Sequence, residues 1–578
     1  MFRALLFLLL SSLPLTAAEP VPAEDAKLAA TFMKYLNAEF ARRPSYATSQ
    51  GNHEYDDRLE DLSPAARAED VKRAETWLAD LPKLVDRAKL SRAAQIDLEI
   101  WTHQLKYQLW QATNADDFAN DPRVYGGYIS DSVYSLFTQS TLPKDRNIAN
   151  AARRITYIPK IIAAAKVSLK NPPRILTEVT IQRTAGAIAF YEKDIFALAG
   201  ATPGTSELTA PCKEAVKALT DYKLFLETEL LPKSKGEWRI GKAKFAEKLL
   251  LELDAGLTAA DVIREAEAEA DRVEREMYYV AKQLWHSLAK GKALPPDDAA
   301  GRRSTVKTVL DILGADHGKP ETLVADARAS VEAIKTFITA KDILTLPTPD
   351  VCKIIEMPEF QRGFSAAYLN PAPPLDPKAD SIYAVSPPPS DWPAARKEAF
   401  FREYNKYMLQ ILTIHEAYPG HYVQLEYGNR NPSLIRKVLY SGVFAEGWAV
   451  YTEQMMLDQG YGNGDLALRL HQLKFYIRAV LNAILDYRMH STEMTDEEAK
   501  DLLMNRGFQT EGEAVGKIQR AKQSSCQLST YFTGRTAFYR LRQSVQRSRG
   551  DKFALGRFHE EVLNQGTIPV KYLAELVK

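Results

Sequence analysis

Apolar residues recur at helical spacing through most of the first 344 residues of the chain. Residues 28–36 place their apolar side chains on one helical face, and Ser63-Pro64 supplies the N-cap and N1 residues that begin another helix. The longest periodic stretch covers residues 260–288. The pattern predicts a mainly α fold, with one helix after another from residue 23 to about residue 344.

The pattern changes between residues 350 and 389. Two short runs rich in β-branched residues, 351–357 and 381–385, are separated by turns that contain glycine and proline. They predict a small β-hairpin region near 350–386. A helix is then expected to begin near Ala394 and to run into His415, with apolar and aromatic residues three or four positions apart along one face.

The first 18 residues have the layout of a cleavable signal peptide. Arg3 forms a short basic region, residues 4–15 are mostly apolar, and Thr16-Ala17-Ala18 offers small residues for cleavage. The apolar run is too short for a bilayer span, and no cysteine stands near the cleavage point to carry a lipid. We therefore expect a periplasmic or secreted protein without stable membrane insertion; an uncleaved anchor is the alternative.

The remaining length exceeds what one core usually supports, so at least two regions are expected. We divide the chain into residues 19–345, an N-terminal helical region, and residues 346–578, which hold the candidate site. A net charge of +1 gives no electrostatic reason to expect a nucleic-acid partner. Cys212, Cys352 and Cys526 are too few for a disulfide framework, and the sequence leaves open whether any two of them pair.

The candidate chemistry begins at His415-Glu416-Ala417-Tyr418-Pro419-Gly420-His421. Zinc proteases present two histidines four residues apart on one helix, with a glutamate beside the first as general base. Six residues of regular helix would turn His421 roughly 120° away from His415. Pro419 and Gly420 favour a kink or bulge between them. The sequence thus predicts a distorted helix in which a two-residue bulge returns His421 to the face of His415.

Glu446 is a lone carboxylate in the apolar segment 443–450. An unpaired buried carboxylate costs several kcal/mol, so it needs a partner, and a metal cation is one. An arginine partner or a protonated Glu446 are the alternatives. We predict that His415, His421 and Glu446 bind a metal ion. Two imidazoles and a carboxylate favour zinc (Zn2+), with Mn²⁺ and Co²⁺ as the alternatives. Glu453 lies two helical turns after Glu446 and could orient a ligand histidine.

The stretch from His415 through Gln424 and the Glu446-Gly447-Trp448-Ala449-x-Tyr451-x-Glu453 stretch resemble the DUF885 family of bacterial proteins. That family is grouped by similarity with zinc metallopeptidases of the gluzincin type. The resemblance covers nearly the whole chain after the signal segment. It implies a multi-helix, zincin-like metallopeptidase that is often exported. The resemblance does not identify the substrate.

The resemblance also suggests roles for further residues. It places His490 near the metal as a hydrogen-bond donor, although an internal salt-bridge network around His490 is the ordinary alternative. The segment 527–535 is similar to a family segment and makes Tyr531 a candidate oxyanion donor, with a buried structural tyrosine as the alternative. The chain departs from the family at Thr533 and Arg535. By likeness to zinc peptidases, strand 381–385 is a candidate to pair with a substrate backbone, or else a structural hairpin.

The expected function is hydrolysis of peptide bonds in short oligopeptides, with Glu416 as general base. Tyr531 or His490 would help to stabilise the oxyanion. Two other classes stay open. One is a non-catalytic exported binding protein with a vestigial metal site. The other is a zinc hydrolase that acts on amides or esters other than peptides.

Overall fold

Helices make up nearly all of the regular structure, which confirms the mainly α fold class. The computed structural model describes residues 22–357, 362 and 366–578. The segment predicted as a signal peptide lies outside these residues. None of the helices in the described part of the chain combines the length and the apolar character that a membrane span requires.

The first part of the chain is a set of helices joined by short connections. Their bounds are α1 Ala23–Arg42, α2 Pro44–Ser49, α3 Pro64–Leu84, α4 Arg92–Asn114, α5 Asp117–Asn120, α6 Val124–Gly126, α7 Ser132–Thr138, α8 Lys144–Ile155, α9 Ile158–Ser168, α10 Arg174–Ala189, α11 Ile195–Ala199, α12 Thr209–Phe225, α13 Lys242–Leu253, α14 Ala259–Leu288, α15 Ala299–Leu313 and α16 Leu323–Ala340. The predicted start of α3 is confirmed, because the Ser63 hydroxyl accepts the backbone N–H of Ala66 at 3.3 Å.

The second part of the chain begins with the strands and continues as helices. The strands are β1 Cys352–Glu356, β2 Ala367–Asn370 and β3 Ser381–Val385. The helices are α17 Ala394–Glu403, α18 Lys406–Glu416, α19 His421–Asn429, α20 Leu434–Val438, α21 Gly442–Asp458, α22 Leu466–Ser491, α23 Asp496–Asp501, α24 Glu511–Gln523, α25 Thr530–Arg549, α26 Leu555–Leu563 and α27 Leu573–Leu576.

Buried apolar side chains form two clusters. The smaller cluster draws on residues 59–230 and includes Tyr125 and Tyr191. The larger joins residues 28–105 to residues 245–577, so that Trp101 and Trp448 belong to one core. The boundary predicted near residue 345 therefore does not separate the two cores, because α14, from the first part, packs along α22.

The strands form one sheet in the order β1-β3-β2. β1 runs parallel to β3, whereas β2 runs antiparallel to β3 with Leu369 opposite Tyr383. The small β region expected near 350–386 is confirmed, but its antiparallel pair is β2 with β3, and the two runs singled out in the sequence lie parallel to each other. Because β3 is paired on both sides, residues 381–385 cannot offer a free edge to a substrate. That position belongs to β2, a four-residue strand without β-branched residues.

The helix expected from Ala394 to His415 is interrupted at Asn405. The Asn405 side chain accepts the backbone N–H groups of Tyr407 and Met408 at 3.0 and 3.2 Å and so caps the start of α18. Its amide nitrogen donates to Nε2 of His471 at 2.9 Å, while Nδ1 of His471 donates to the carbonyl of Ala467. α22 thereby fixes the start of the helix that ends in His415 and Glu416.

His559 joins three distant segments in the core. Its Nδ1–H donates to the carbonyl of Ile343, and the hydroxyl of Tyr451 donates to its Nε2, both at 2.8 Å. The ring is fully buried. Burial, helped by the charge of Arg542, lowers the pKa of His559 to about 3. The folded protein therefore holds this imidazole neutral at pH values where an unfolded chain would protonate it.

We predict that His559 makes the protein less stable in acid. Below the ordinary pKa of about 6.5 the unfolded chain takes up a proton at this position and the folded chain does not, until about pH 3. This group alone should therefore decrease the free energy of unfolding by about 1.4 kcal/mol for each unit by which the pH is lowered. Denaturant unfolding between pH 6 and 4 should give a shallower pH slope for His559→Gln than for wild type.

The matched control is His286→Gln, which removes an exposed histidine of α14. It should leave the slope unchanged. Equal slopes for His559→Gln and wild type would contradict the prediction.

Candidate metal centre

The helix that carries His415 and Glu416 ends before His421. α18 ends at Glu416, residues 417–420 form a turn, and His421 begins α19. The expected distortion is present, but it is a complete break between two helices rather than a bulge within one. At Gly420 a Cβ atom would lie 1.9 Å from the carbonyl oxygen of His415, so only glycine fits the turn. The indole N–H of Trp448 donates to the carbonyl of Pro419 at 2.8 Å and ties the turn to α21.

The break brings His415, His421 and Glu446 together. Oε2 of Glu446 lies 3.4 Å from Nε2 of His421 and 3.8 Å from Nε2 of His415, and the three candidate donor atoms all lie within 4.8 Å of one another. Ligands of a tetrahedral zinc ion stand about 3.3–3.6 Å apart when each bond is about 2.0–2.2 Å. The donor types fit a zinc ion, and the two distances from Glu446 are close to this spacing.

Glu453 orients the first of these histidines. Nδ1–H of His415 donates to Oε1 of Glu453 at 2.7 Å, and the carboxylate is fully buried. With the hydrogen on Nδ1, the lone pair of His415 is on Nε2, which lies 3.8 Å from Oε2 of Glu446. This is the arrangement that metal-binding histidines usually have with a supporting carboxylate. Phe475 packs edge-on against the same ring and limits its rotation.

Burial sets the protonation of the three donors. It lowers the pKa of His415 to about 3, with a further contribution from the charge of His421, so this imidazole is neutral at pH 7. Burial also opposes the charged form of His421, but the contact with Glu446 outweighs it and raises the pKa of His421. The same contact keeps the pKa of Glu446 below its ordinary value despite burial. The charge of Glu446 is thus kept inside the protein beside the two imidazoles.

Glu416, the last residue of α18, lies next to the three candidate donors. Its Oε2 accepts the backbone N–H of Leu369, in β2, at 3.1 Å. Burial raises the pKa of Glu416 to about 7. A carboxyl group with a pKa near neutrality can both accept and release a proton, which suits a general base. The contact with Leu369 has no signal in the sequence, because it joins two segments 47 positions apart.

Tyr531 reaches the site because two helices touch through glycine. A Cβ atom on Gly447 would lie 2.3 Å from Cα of Gly534, so α21 and α25 approach each other at backbone contact. Tyr531 lies one turn before Gly534, and after the two histidines its hydroxyl also contributes to lowering the pKa of Glu446. The glycine of the Glu-Gly-Trp segment is therefore explained by the neighbouring helix.

Two side chains donate hydrogen bonds to the hydroxyl oxygen of Tyr531. Nη2 of Arg520 donates to its oxygen at 3.2 Å, and Nε2 of Gln527 donates at 3.4 Å. With its oxygen accepting two hydrogen bonds, the phenol directs its own proton toward Glu446 and the cavity. The sequence pattern alone does not indicate Arg520 as a site residue. It lies 11 positions before Tyr531 on another helix, and nothing in that spacing indicates a contact.

His490 is not in the site, so its expected position near the metal is wrong. Its Nε2–H points to the carbonyl oxygens of Ala521 and Ser524, both at 2.9 Å, and its ring packs against Trp238 and Phe245. Burial lowers its pKa to about 4. His490 thus anchors the end of α24 to α22.

The three candidate donors and Glu416 line one side of a cavity of about 710 Å³. Tyr368 and Leu369 of β2 line it as well, together with Tyr531. The N-terminal helices contribute a further part of the wall, through residues of α4 and α13. Cys212, Cys352 and Cys526 are free thiols and lie outside this lining.

We predict that Gly420→Ala abolishes metal binding. The new methyl group would overlap the carbonyl oxygens of His415 and Ile414, so the turn must open and His421 must move away from Glu446. Strain of this kind costs typically about 1–3 kcal/mol. Metal analysis of the purified variant should find far less than one zinc per chain, with a lower melting temperature. Gly442→Ala, where a Cβ meets nothing within 4 Å, is the control. Full zinc occupancy in Gly420→Ala would contradict this account of the turn.

Comparison with known proteins places the chain in a family. The family described as "Bacterial protein of unknown function (DUF885)" matches residues 44–577. A solved structure described as a suggested lipoprotein of unknown function from Shewanella oneidensis is 30% identical, with a TM-score of 0.79 over 96% of this chain and 99% of that one. A suggested lipoprotein from Colwellia psychrerythraea shares the fold at 17% identity, with a TM-score of 0.78 over the same shares. No protein with a curated description matches the chain. The chain therefore belongs to the DUF885 family.

Proposed function

We propose that this protein is an exported, zinc-dependent peptidase that hydrolyses short oligopeptides. The observation that carries the proposal is the meeting of His415, His421 and Glu446 at one cavity wall, with Glu416 beside them. Two imidazoles, a carboxylate and an adjacent glutamate base form the ligand and base set of a hydrolytic zinc site. Zinc bound there would act as a Lewis acid toward a carbonyl oxygen and would acidify water.

Glu416 would serve as the general base. One of its oxygens is held by the N–H of Leu369, and its Oε1 accepts no hydrogen bond within the described part of the chain. Oε1 can therefore take a proton from water in the cavity and pass it to the nitrogen of the leaving amine. A pKa of about 7 suits both transfers, because neither protonation state is strongly favoured.

Tyr531 would donate to the oxyanion that forms at the attacked carbonyl. Its oxygen accepts from Arg520 and Gln527, so its proton is available on the cavity side. A donor that is already oriented stabilises developing charge without further reorganisation. This favours Tyr531 over His490, whose Nε2–H is used by backbone carbonyls.

The sheet supports a peptide as the substrate. β2 lies at the edge of the sheet, and its residues Tyr368 and Leu369 line the cavity beside Glu416. An extended peptide can bind along such an edge through main-chain hydrogen bonds. A cavity of about 710 Å³ suits a short peptide rather than a folded protein. Export is supported by the N-terminal segment and by the 30% identical relative, which is described as a suggested lipoprotein.

The first test is Glu416→Gln. The exchange keeps the shape of the side chain but removes the base, so zinc content should persist while kcat falls on the order of 10²–10⁴-fold. Turnover of a mixed oligopeptide library, followed by mass spectrometry, measures this loss. In wild type, a chelator should stop hydrolysis and added zinc should restore it.

Glu332→Gln is the control, because Glu332 is an exposed residue of α16. It should leave both zinc content and turnover unchanged. Wild-type rates of peptide hydrolysis in Glu416→Gln would exclude the proposed mechanism.

A second test separates Tyr531 from a structural tyrosine. Tyr531→Phe should lower kcat on the order of 10²–10³-fold with little change in KM or zinc content, because the lost hydrogen bond acts in the transition state. Tyr539→Phe is the matched control on the same helix, since the buried Tyr539 hydroxyl has no hydrogen-bond partner among the described residues. If both variants retain wild-type kcat, Tyr531 has no role in the reaction.

A further inference from the structure

Glu252 is a carboxylate of the cavity wall that the proposed reaction does not use. It lies in the last turn of α13 and is half-buried. The hydroxyl of Tyr107, on α4, donates to Oε2 of Glu252 and fixes its direction. Tyr107 and Glu252 both line the cavity that holds the candidate metal centre. The N-terminal helices therefore place an oriented negative charge in the space where a substrate would bind.

Glu252 forms no ion pair with a cation among the described residues. The other acidic residue at this end of α13, Asp254, is paired with Lys571 and lies 3.6 Å from His103. Of the basic residues of the cavity wall, Arg436 binds Asp97 at 2.6 Å, and Lys437 forms no ion pair with a described carboxylate. A half-buried carboxylate without a counter-ion favours binding of an external cation.

The surroundings of Glu252 also favour a cation. The carbonyl end of a helix carries partial negative charge, and Glu252 stands at that end of α13. Nε2–H of His103 donates to the carbonyl of Leu251 at 2.8 Å and holds this end of the helix in place. The ring of Tyr440 is 65% exposed although it lines the cavity. An aromatic face beside a carboxylate is a common setting for an ammonium group.

Tyr440 also connects this part of the wall to the metal centre. The charges of Glu446 and Glu252 both act on its phenol, after burial, to raise its pKa. Tyr440 is therefore within electrostatic range of both carboxylates. Tyr440, Glu252 and the candidate metal ligands all line the same cavity, so one ligand in that cavity can contact residues of each group.

We propose that Glu252 binds an ammonium group of the peptide substrate, with Tyr440 against it, and so selects peptides that carry a positive charge beside the scissile bond. The group is either the free N-terminus or a lysine side chain, since both present the same chemistry. This proposal rests on the proposed function, because it names the substrate of the same cavity. Glu252 acts here in recognition and takes no part in the chemical step.

Binding tests the proposal without requiring turnover. Zinc-loaded Glu416→Gln protein is titrated with two pairs of peptides in a calorimeter. The first pair is tetra-alanine with a free or an acetylated N-terminus. The second pair is acetylated Ala-Lys-Ala-Ala and the same peptide with norleucine in place of lysine. At least one charged peptide should bind on the order of 10- to 100-fold more tightly than its neutral counterpart, as expected for a hydrogen bond between charged groups. The additional substitution Glu252→Gln should make the affinities for the charged and the neutral peptide nearly equal.

Glu247→Gln in the same background is the matched control, because Glu247 lies on α13 but is exposed and bonds to Trp110. It should keep the charge preference. A preference that depends on acetylation identifies the N-terminus, and one that depends on lysine identifies the side chain. Equal affinity for charged and neutral peptides, a preference that survives Glu252→Gln, or no binding by any peptide would overturn the proposal.

Turnover by the wild type separates this proposal from the proposed function. Charge-dependent binding without hydrolysis would reject a peptidase and keep the Glu252 site. Hydrolysis with no preference for charged peptides would reject the Glu252 site and keep the peptidase.

Discussion

The hydrogen bond between His415 and the buried carboxylate of Glu453 is the constraint on which the candidate centre depends. It decides which nitrogen of His415 carries the hydrogen, and so which one faces Glu446. Without it, a neutral imidazole could turn its lone pair away from the other two donors. The bond joins the end of one helix to the middle of another, so the direction of a ligand depends on the packing of α18 against α21.

Most members of the candidate site can be predicted from the sequence because they lie in two short segments. His415, Glu416, His421 and Glu446 were recognised from residue type and spacing, and the Pro-Gly pair indicated a break. The extent of the break was not predictable, since it depends on Trp448 holding the turn from another helix. β2 escaped prediction because its four residues lack the composition typical of strands.

Contacts between distant segments account for the remaining differences. His490 has the residue type of a donor, but its hydrogen bonds go to the backbone of α24. Arg520 and Asn405 gain their roles from partners on other helices. The boundary near residue 345 follows a change of composition, whereas the larger core and the cavity wall both combine residues from before and after it. Sequence pattern describes local structure well, but it does not report which helices become neighbours.

α21 carries Glu446, Trp448 and Glu453. Glu446 is a candidate donor, Trp448 holds the turn, and Glu453 is hydrogen-bonded to the candidate donor His415. A small rotation or shift of this one helix would disturb all three at once. Loss of the centre should therefore be cooperative, with no stable state that keeps part of the coordination. For anyone who engineers this scaffold, α21 is a single functional unit, and its packing against α25 through Gly447 and Gly534 has to be preserved as a whole.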